Sequence, residues 1–182
     1  RAYTVARENG FNFLRSIEIE DRASARSNVG TAYYTLGKYE KAVENYRRAT
    51  ALEPGQPIHW GNLGDTLKML RDRAAREAYV RAVHLARERV TASPESPRAR
   101  ERLGLYCAKA GEETCALEEG GRAAAMQPEN AEFVFSNAVI RSLLGRHDEA
   151  LDWLERAVKL GYSKAQIEIE PDLAPLHGHP RY

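Results

Sequence analysis

Small and apolar side chains return along the chain in a fixed order. Four segments, SNVGTAYYTLG, GNLGDTLKMLR, ERLGLYCAKAG and SNAVIRSLLG, place Gly30, Gly64, Gly104 and Ala138 at equivalent points, 34, 40 and 34 residues apart. A second set of small residues follows each of them, Ala42, Ala75, Ala116 and Ala150, then a third, Ala49, Ala82, Ala123 and Ala157; Pro54, Pro94 and Pro128 close three of the units. Small residues let two helices approach closely and a proline cannot continue a helix, so the pattern predicts a tandem array of antiparallel helical hairpins.

In the first complete unit the recurring positions are held by Val29, Gly30, Tyr33, Gly37, Tyr39, Ala42, Tyr46, Ala49 and Pro54. This set resembles the tetratricopeptide repeat family. The resemblance implies an all-α, right-handed superhelix of about four and a half stacked hairpins. Gly30 and Ala42 become the helix contact, Tyr33 and Tyr46 fill the wider gaps, and Gly37 makes the turn. The second unit carries Trp60, Leu63, Gly64, Leu67, Ala75, Tyr79 and Ala82, but RDRAA replaces the glycine turn and is one residue short. About seven extra residues precede Pro94, two helical turns, which predicts a lengthened second helix. The third shows Leu103, Gly104, Gly111, Ala116, Ala123 and Pro128, with Gly120 and Gly121 where an aromatic is expected; each glycine costs its helix about 1 kcal/mol. The fourth carries Ala138, Leu144, Gly145, Ala150, Leu154 and Ala157. The expected divisions are a partial repeat over 1–22, with Phe13, Ser16 and Ile19 on its helix, full repeats over 23–56, 57–96, 97–130 and 131–162, and a capping segment over 163–182. Pro171, Pro175 and Pro180 forbid a continuous helix in that cap.

Little in the chain points to catalysis. Gly30 and Gly37 with Lys38 have the wrong spacing for a phosphate-binding loop, and Tyr39 stands where a magnesium-binding hydroxyl is required. None of the five histidines sits in a motif that would activate a serine or cysteine. His177, His179 and Asp172 form a weak metal-type pattern whose simpler reading is solvated histidine, so neither metal nor cofactor is expected. Lys and Arg total 27 against 26 for Asp and Glu, leaving no global field for nucleic acid. The local run Arg71, Arg73, Arg76, Arg81, Arg87, Arg89, Arg98, Arg100 and Arg102 is interleaved with Asp72, Glu77, Glu88, Glu95 and Glu101, and reads as a salt-bridged, solvated face. No apolar run is long enough to span a bilayer, and RAYTVARENG lacks a signal-peptide core. The missing initiator Met is read as the mark of a fragment. WGNLGD, the lengthened helix and the tail are similar to tetratricopeptide tails of large bacterial signalling and regulatory proteins.

What the resemblance implies is binding. The first helices of the hairpins, here the A helices, would line a concave groove that holds a peptide or a partner helix. Carried over residue by residue, the lining comprises Asn28, Thr31, Tyr34 and Thr35; Ile58, Asn62, Asp65, Lys68 and Met69; Arg98, Glu101, Arg102, Leu105 and Lys109; and Phe135, Ser136 and Val139. Asn28, Asn62 and Arg102 share one repeat position, from which an amide can both donate to and accept from a peptide backbone. Glu101 and Asp65 argue against a clamp for carboxyl termini. The competing reading is a regulatory domain that senses a small ligand or docks its own catalytic head. Cys107 and Cys115 flank the turn at Gly111, late in one helix and early in the next. They are either bridged, which suits an oxidising compartment such as the periplasm, or two reduced packing thiols in the cytoplasm.

Overall fold

The structure, a computed structural model, describes residues 22–182. The partial repeat expected at the start, with Phe13, Ser16 and Ile19, lies outside the described residues. Eight helices follow one another in pairs: α1 (Ala23–Thr35) and α2 (Tyr39–Leu52), α3 (Pro57–Met69) and α4 (Ala74–Ala92), α5 (Pro97–Ala110) and α6 (Glu113–Met126), α7 (Ala131–Leu143) and α8 (His147–Lys159). A short helix α9 (Lys164–Glu168) and a 3₁₀ helix (Pro171–Leu176) complete the chain, and no strand occurs among the described residues. The molecule divides into two compact units, the boundary falling between Leu85 and Ala86 inside α4. That helix has 19 residues against 14 for α2, the extra length following from the added turns before Pro94.

The first unit is organised by tyrosine over glycine. Its core gathers Ala42, Val43, Tyr46, Leu63, Leu67 and Ala78. A Cβ at Gly30 would stand 2.8 Å from Cε1 of Tyr46, and one at Gly64 only 2.5 Å from Cε1 of Tyr79. Both distances are too short for real atoms, so each ring lies directly on the backbone of the facing helix. Pro57 opens α3 at a position where its missing N–H would have no intrahelical partner. The turn after α1 uses Gly37 at φ 70°, whereas the turn after α3 places Arg71 at φ 55°. A side chain in this left-handed conformation costs about 1 kcal/mol. The strain is accompanied by closure of the turn, where the Asp72 amide donates to the Leu67 carbonyl at 2.9 Å.

In the second unit the expected aromatic is absent, and the helices close the gap by moving together. A Cβ at Gly104 would meet the Gly120 nitrogen at 2.8 Å and the Ala116 oxygen at 3.2 Å, so α5 and α6 touch backbone to backbone. Ile140 of α7 fills the remaining space, its Cδ1 at 2.6 Å from where a Gly120 Cβ would be. Asn137, 1 % exposed, donates through Nδ2 to the Gly120 carbonyl at 2.8 Å. Gly120 is therefore a contact surface as well as a weak helix former. A second core at the chain's end joins Val134, Phe135, Ala138 and Val139 of α7 to Leu151 and Leu154 of α8 and to Ile167, Leu173 and Leu176 of the terminal segment. Burying a leucine fully contributes about 1.5–3 kcal/mol, and Leu173 and Leu176 are both wholly buried.

A methyl group at Gly121 would meet nothing within 4 Å, and the backbone there is ordinary helix. Gly121→Ala should stabilise the protein by about 1 kcal/mol. Gly104→Ala should destabilise it, because the new methyl strikes backbone rather than a movable side chain. Urea denaturation of the two variants checks the pair, and equal midpoints would contradict the helix contact described here.

Candidate functional site

The A-helix residues expected to line a binding face fall into two groups. Some are already engaged within the protein. Thr31 Oγ1 lies 2.9 Å from the Tyr46 hydroxyl and also donates to the Ser27 carbonyl at 3.1 Å. Asp65 Oδ1 accepts from the Tyr79 hydroxyl at 2.9 Å. The ring that presses on the A-helix glycine thus ends in a hydroxyl held by a side chain of that same A helix, one residue further on. Tyr34 meets Tyr39 edge to face at 5.5 Å.

The second unit uses its A-helix residues more heavily still. Arg98 donates to Glu132 at 2.5 Å and to Glu101 at 3.4 Å, and its guanidinium lies 4.9 Å from the Phe133 ring centre. Glu101 is 6 % exposed and accepts from Ser136 at 2.7 Å, a buried link between α5 and α7. Lys109 forms an ion pair with Asp172 of the 3₁₀ helix at 3.3 Å. Phe135 stacks on Tyr162 with ring centres 4.1 Å apart, and Leu105 packs against the terminal core.

The other group faces outward. Asn28, Thr35, Lys68 and Arg102 are exposed, as are Ile58 and Met69, which are 37 % and 44 % exposed; Asn62 is half-buried. The side chains of Asn28, Asn62 and Arg102 make no hydrogen bond or ion pair among the described residues. These three occupy one repeat position, a single turn before the engaged Thr31 and Asp65 in the first two cases.

Within the arginine run, Arg98 pairs with the interleaved Glu101, while Arg87 and Arg100 reach acids outside the run. Arg87 pairs with Glu112 and Arg100 with Glu119 at 2.6 Å, both carboxylates lying at or on α6. Asp72 instead caps the start of α4, accepting from the Ala74 amide at 2.9 Å. Sequence spacing along one helix could not reveal this, since the pairs join residues 19 and 25 apart. The two tail histidines diverge: His179 Nε2 approaches Asp148 at 3.5 Å, while His177 packs on the Tyr182 ring at 5.0 Å. Among the described residues, Cys107, Glu112 and Cys115 bring ligand-type atoms within 4.8 Å of one another. Their sulfurs, however, stand 2.11 Å apart with Cα atoms at 5.9 Å, which leaves no thiolate pair for a cation.

Two sequence-family models match the chain, one for the TPR repeat over residues 30–70 and one for the tetratricopeptide repeat over residues 116–164. No curated protein sequence matches it significantly. Among solved structures it is similar to YrrB, a TPR protein with an unusual peptide-binding site, with a TM-score of 0.50 and 18 % identity over 90 % of this chain and 82 % of that one. It is also similar to the MamA 41-end structure from Desulfovibrio magneticus RS-1, with a TM-score of 0.50 and 18 % identity over 87 % of this chain and 94 % of that one. At such identities the likeness bears on the fold alone. With the glycine, tyrosine and alanine contacts described above, it defines a solenoid of stacked helical hairpins. The chain belongs to the tetratricopeptide repeat family.

Burial pushes the Tyr46 hydroxyl up to about 12, with the Thr31 hydrogen bond acting the other way and the charge of Asp65 adding to the rise. The unfolded chain loses this proton near pH 10, before the folded one does, so the stability that Tyr46 contributes is complete below pH 10 and is lost as pH rises towards 12. Tyr46→Phe should flatten that part of the alkaline decline in thermal melts. Separately, closing the loop between Cys107 and Cys115 should contribute about 2.5 kcal/mol in the chain-entropy account. Thiol titration of unfolded, non-reduced protein is expected to find no free thiol; two would remove the bridge.

Proposed function

We propose that the protein is a non-catalytic interaction module that holds a peptide or partner helix on the faces of its A helices, as part of a larger bacterial signalling or regulatory protein. The observation that carries this reading is the contrast between neighbouring positions. Thr31 and Asp65 are committed to tyrosine hydroxyls, whereas Asn28, Asn62 and Arg102 keep their hydrogen-bonding capacity unused within the described residues. An asparagine amide both donates and accepts, as an extended peptide backbone requires, and the guanidinium adds a fixed fork of donors for a carboxylate or carbonyl. Exposed Met69 and Ile58 supply apolar surface on α3 beside Asn62. Tetratricopeptide repeats are in general protein-interaction folds, and YrrB is described as having a peptide-binding site, which agrees with this use. None of the described helices is long and apolar enough to cross a membrane.

Replacing Asn28 and Asn62 of the first unit together with alanine should weaken an isolated partner more than tenfold while the circular dichroism spectrum stays unchanged, because Asn28 is exposed, Asn62 is half-buried and neither side chain is hydrogen-bonded among the described residues. Unaltered affinity would move the working surface away from the A helices.

A further inference from the structure

The terminal segment of the chain lies on A-helix positions of the second unit. Asp172 pairs with Lys109 at 3.3 Å, and both side chains are nearly withdrawn from water, at 13 % and 14 % exposure. The Asp172 carbonyl accepts from the Ser142 hydroxyl at 2.7 Å, so the tail's backbone is gripped as well as its side chain. Leu173 and Leu176 are wholly buried in the core that includes Phe135 and Val139, against which Leu105 packs. Carboxylate, backbone carbonyl and two leucines are thus each met by a separate feature of α5 and α7. The segment is pre-shaped for this contact. Pro171 starts the 3₁₀ helix, Pro175 lies within it, and Glu170 accepts from the Asp172 amide at 3.2 Å. Little conformational entropy remains to be lost on docking.

We infer that the tail is a built-in occupant of a peptide site on α5 and α7, and that this site takes in trans a protein segment of the same chemistry, a carboxylate followed by leucines one and four positions later. The inference rests on the reading that A-helix faces hold peptides, and it adds the ligand's chemistry and its control. A partner segment must displace Pro171–Leu176, so binding is weak until the tail lifts. The ion pair is the point of release, since a carboxylate of the arriving peptide can take the place of Asp172 at the sheltered Lys109. The tail keeps its covalent tether throughout, at a high effective concentration, and returns when the partner leaves.

The test uses the full chain and a fluorescein-labelled peptide with the sequence of residues 168–182, read by fluorescence anisotropy. Asp172→Lys in the chain sets two cations against each other and loosens the tail, so the peptide should bind this variant at least tenfold more tightly than the wild type. Adding Lys109→Glu restores the attraction within the chain with the charges exchanged, and should abolish the gain. A peptide with both leucines replaced by alanine should not bind. Equal peptide binding by wild type and Asp172→Lys, with helicity intact, would overturn the inference and leave the tail a fixed cap. If Asp172→Lys does not fold, hydrogen exchange of the wild type decides. The amides of Leu173, His177 and His179 should exchange at least tenfold faster than those of α7 and α8, whereas equal protection would mean that the tail opens only with global unfolding and would overturn the inference. A dimer of Asp172→Lys that excludes the peptide would assign the site to a second copy and overturn the partner reading. Failure of the tail peptide while a partner dependent on Asn28 and Asn62 is retained would sink this inference and leave the broader one standing.

Discussion

The closeness of the two helices at one glycine per hairpin governs most of what surrounds it. At Gly64 there is room for a hydrogen but not for a methyl, because the Tyr79 ring already lies where the methyl would go. A ring held this tightly has one orientation, and its hydroxyl therefore emerges at one place on the A helix. There it meets Asp65, as Tyr46 in the preceding hairpin meets Thr31. A buried tyrosine hydroxyl without a partner is costly, so these side chains are drawn into the fold. A packing constraint on the inside of the hairpin thereby decides which polar residues of its A helix are taken up by the fold.

The third hairpin reaches the same end by a different route. With glycine at both Gly104 and Gly120, nothing stands between α5 and α6, and the polar group exposed by the closer approach is a backbone carbonyl rather than a phenol. Asn137 supplies the donor, from the neighbouring α7. The link between hairpins is consequently polar and buried here, reinforced by Ser136 donating to Glu101. Such a link tolerates little sliding, since any shift would leave a buried acceptor or carboxylate without its proton donor.

Much of this architecture is legible in the residues because repeat spacing fixes it locally. Gly30, Gly64 and Gly104 mark the helix contacts, Pro57 and Pro97 begin helices, and the added turns before Pro94 lengthen α4. Other features depend on where distant side chains arrive. Gly120 looks like a defect until its distance to Gly104 is known, and Arg71 in a left-handed turn is not predictable from a residue that normally avoids it. Asn28, Thr31, Asn62 and Asp65 are equally polar in sequence. Only the direction of the tyrosine hydroxyls separates the pair that serves the fold from the pair that does not. Repeat position alone assigns Lys109 and Phe135 to an open lining, and only the path of the tail, bent by its prolines, shows that they are covered.

The composition of that cover says something about its strength. A segment needed only to shield the apolar end of the array would be most stable with apolar side chains throughout, since withdrawing an ion pair from water recovers little of its desolvation cost. The chain instead places Lys109 and Asp172 in a largely sheltered position, beside leucines that could hold the segment without them. An ion pair adds what leucine contacts lack, a preferred direction and register, because reversing or shifting the segment by one residue separates the charges. It also lowers the penalty for exchange, since any incoming carboxylate of the same register satisfies the lysine equally well. Leucines give the tail its affinity, and the charge pair gives it an address.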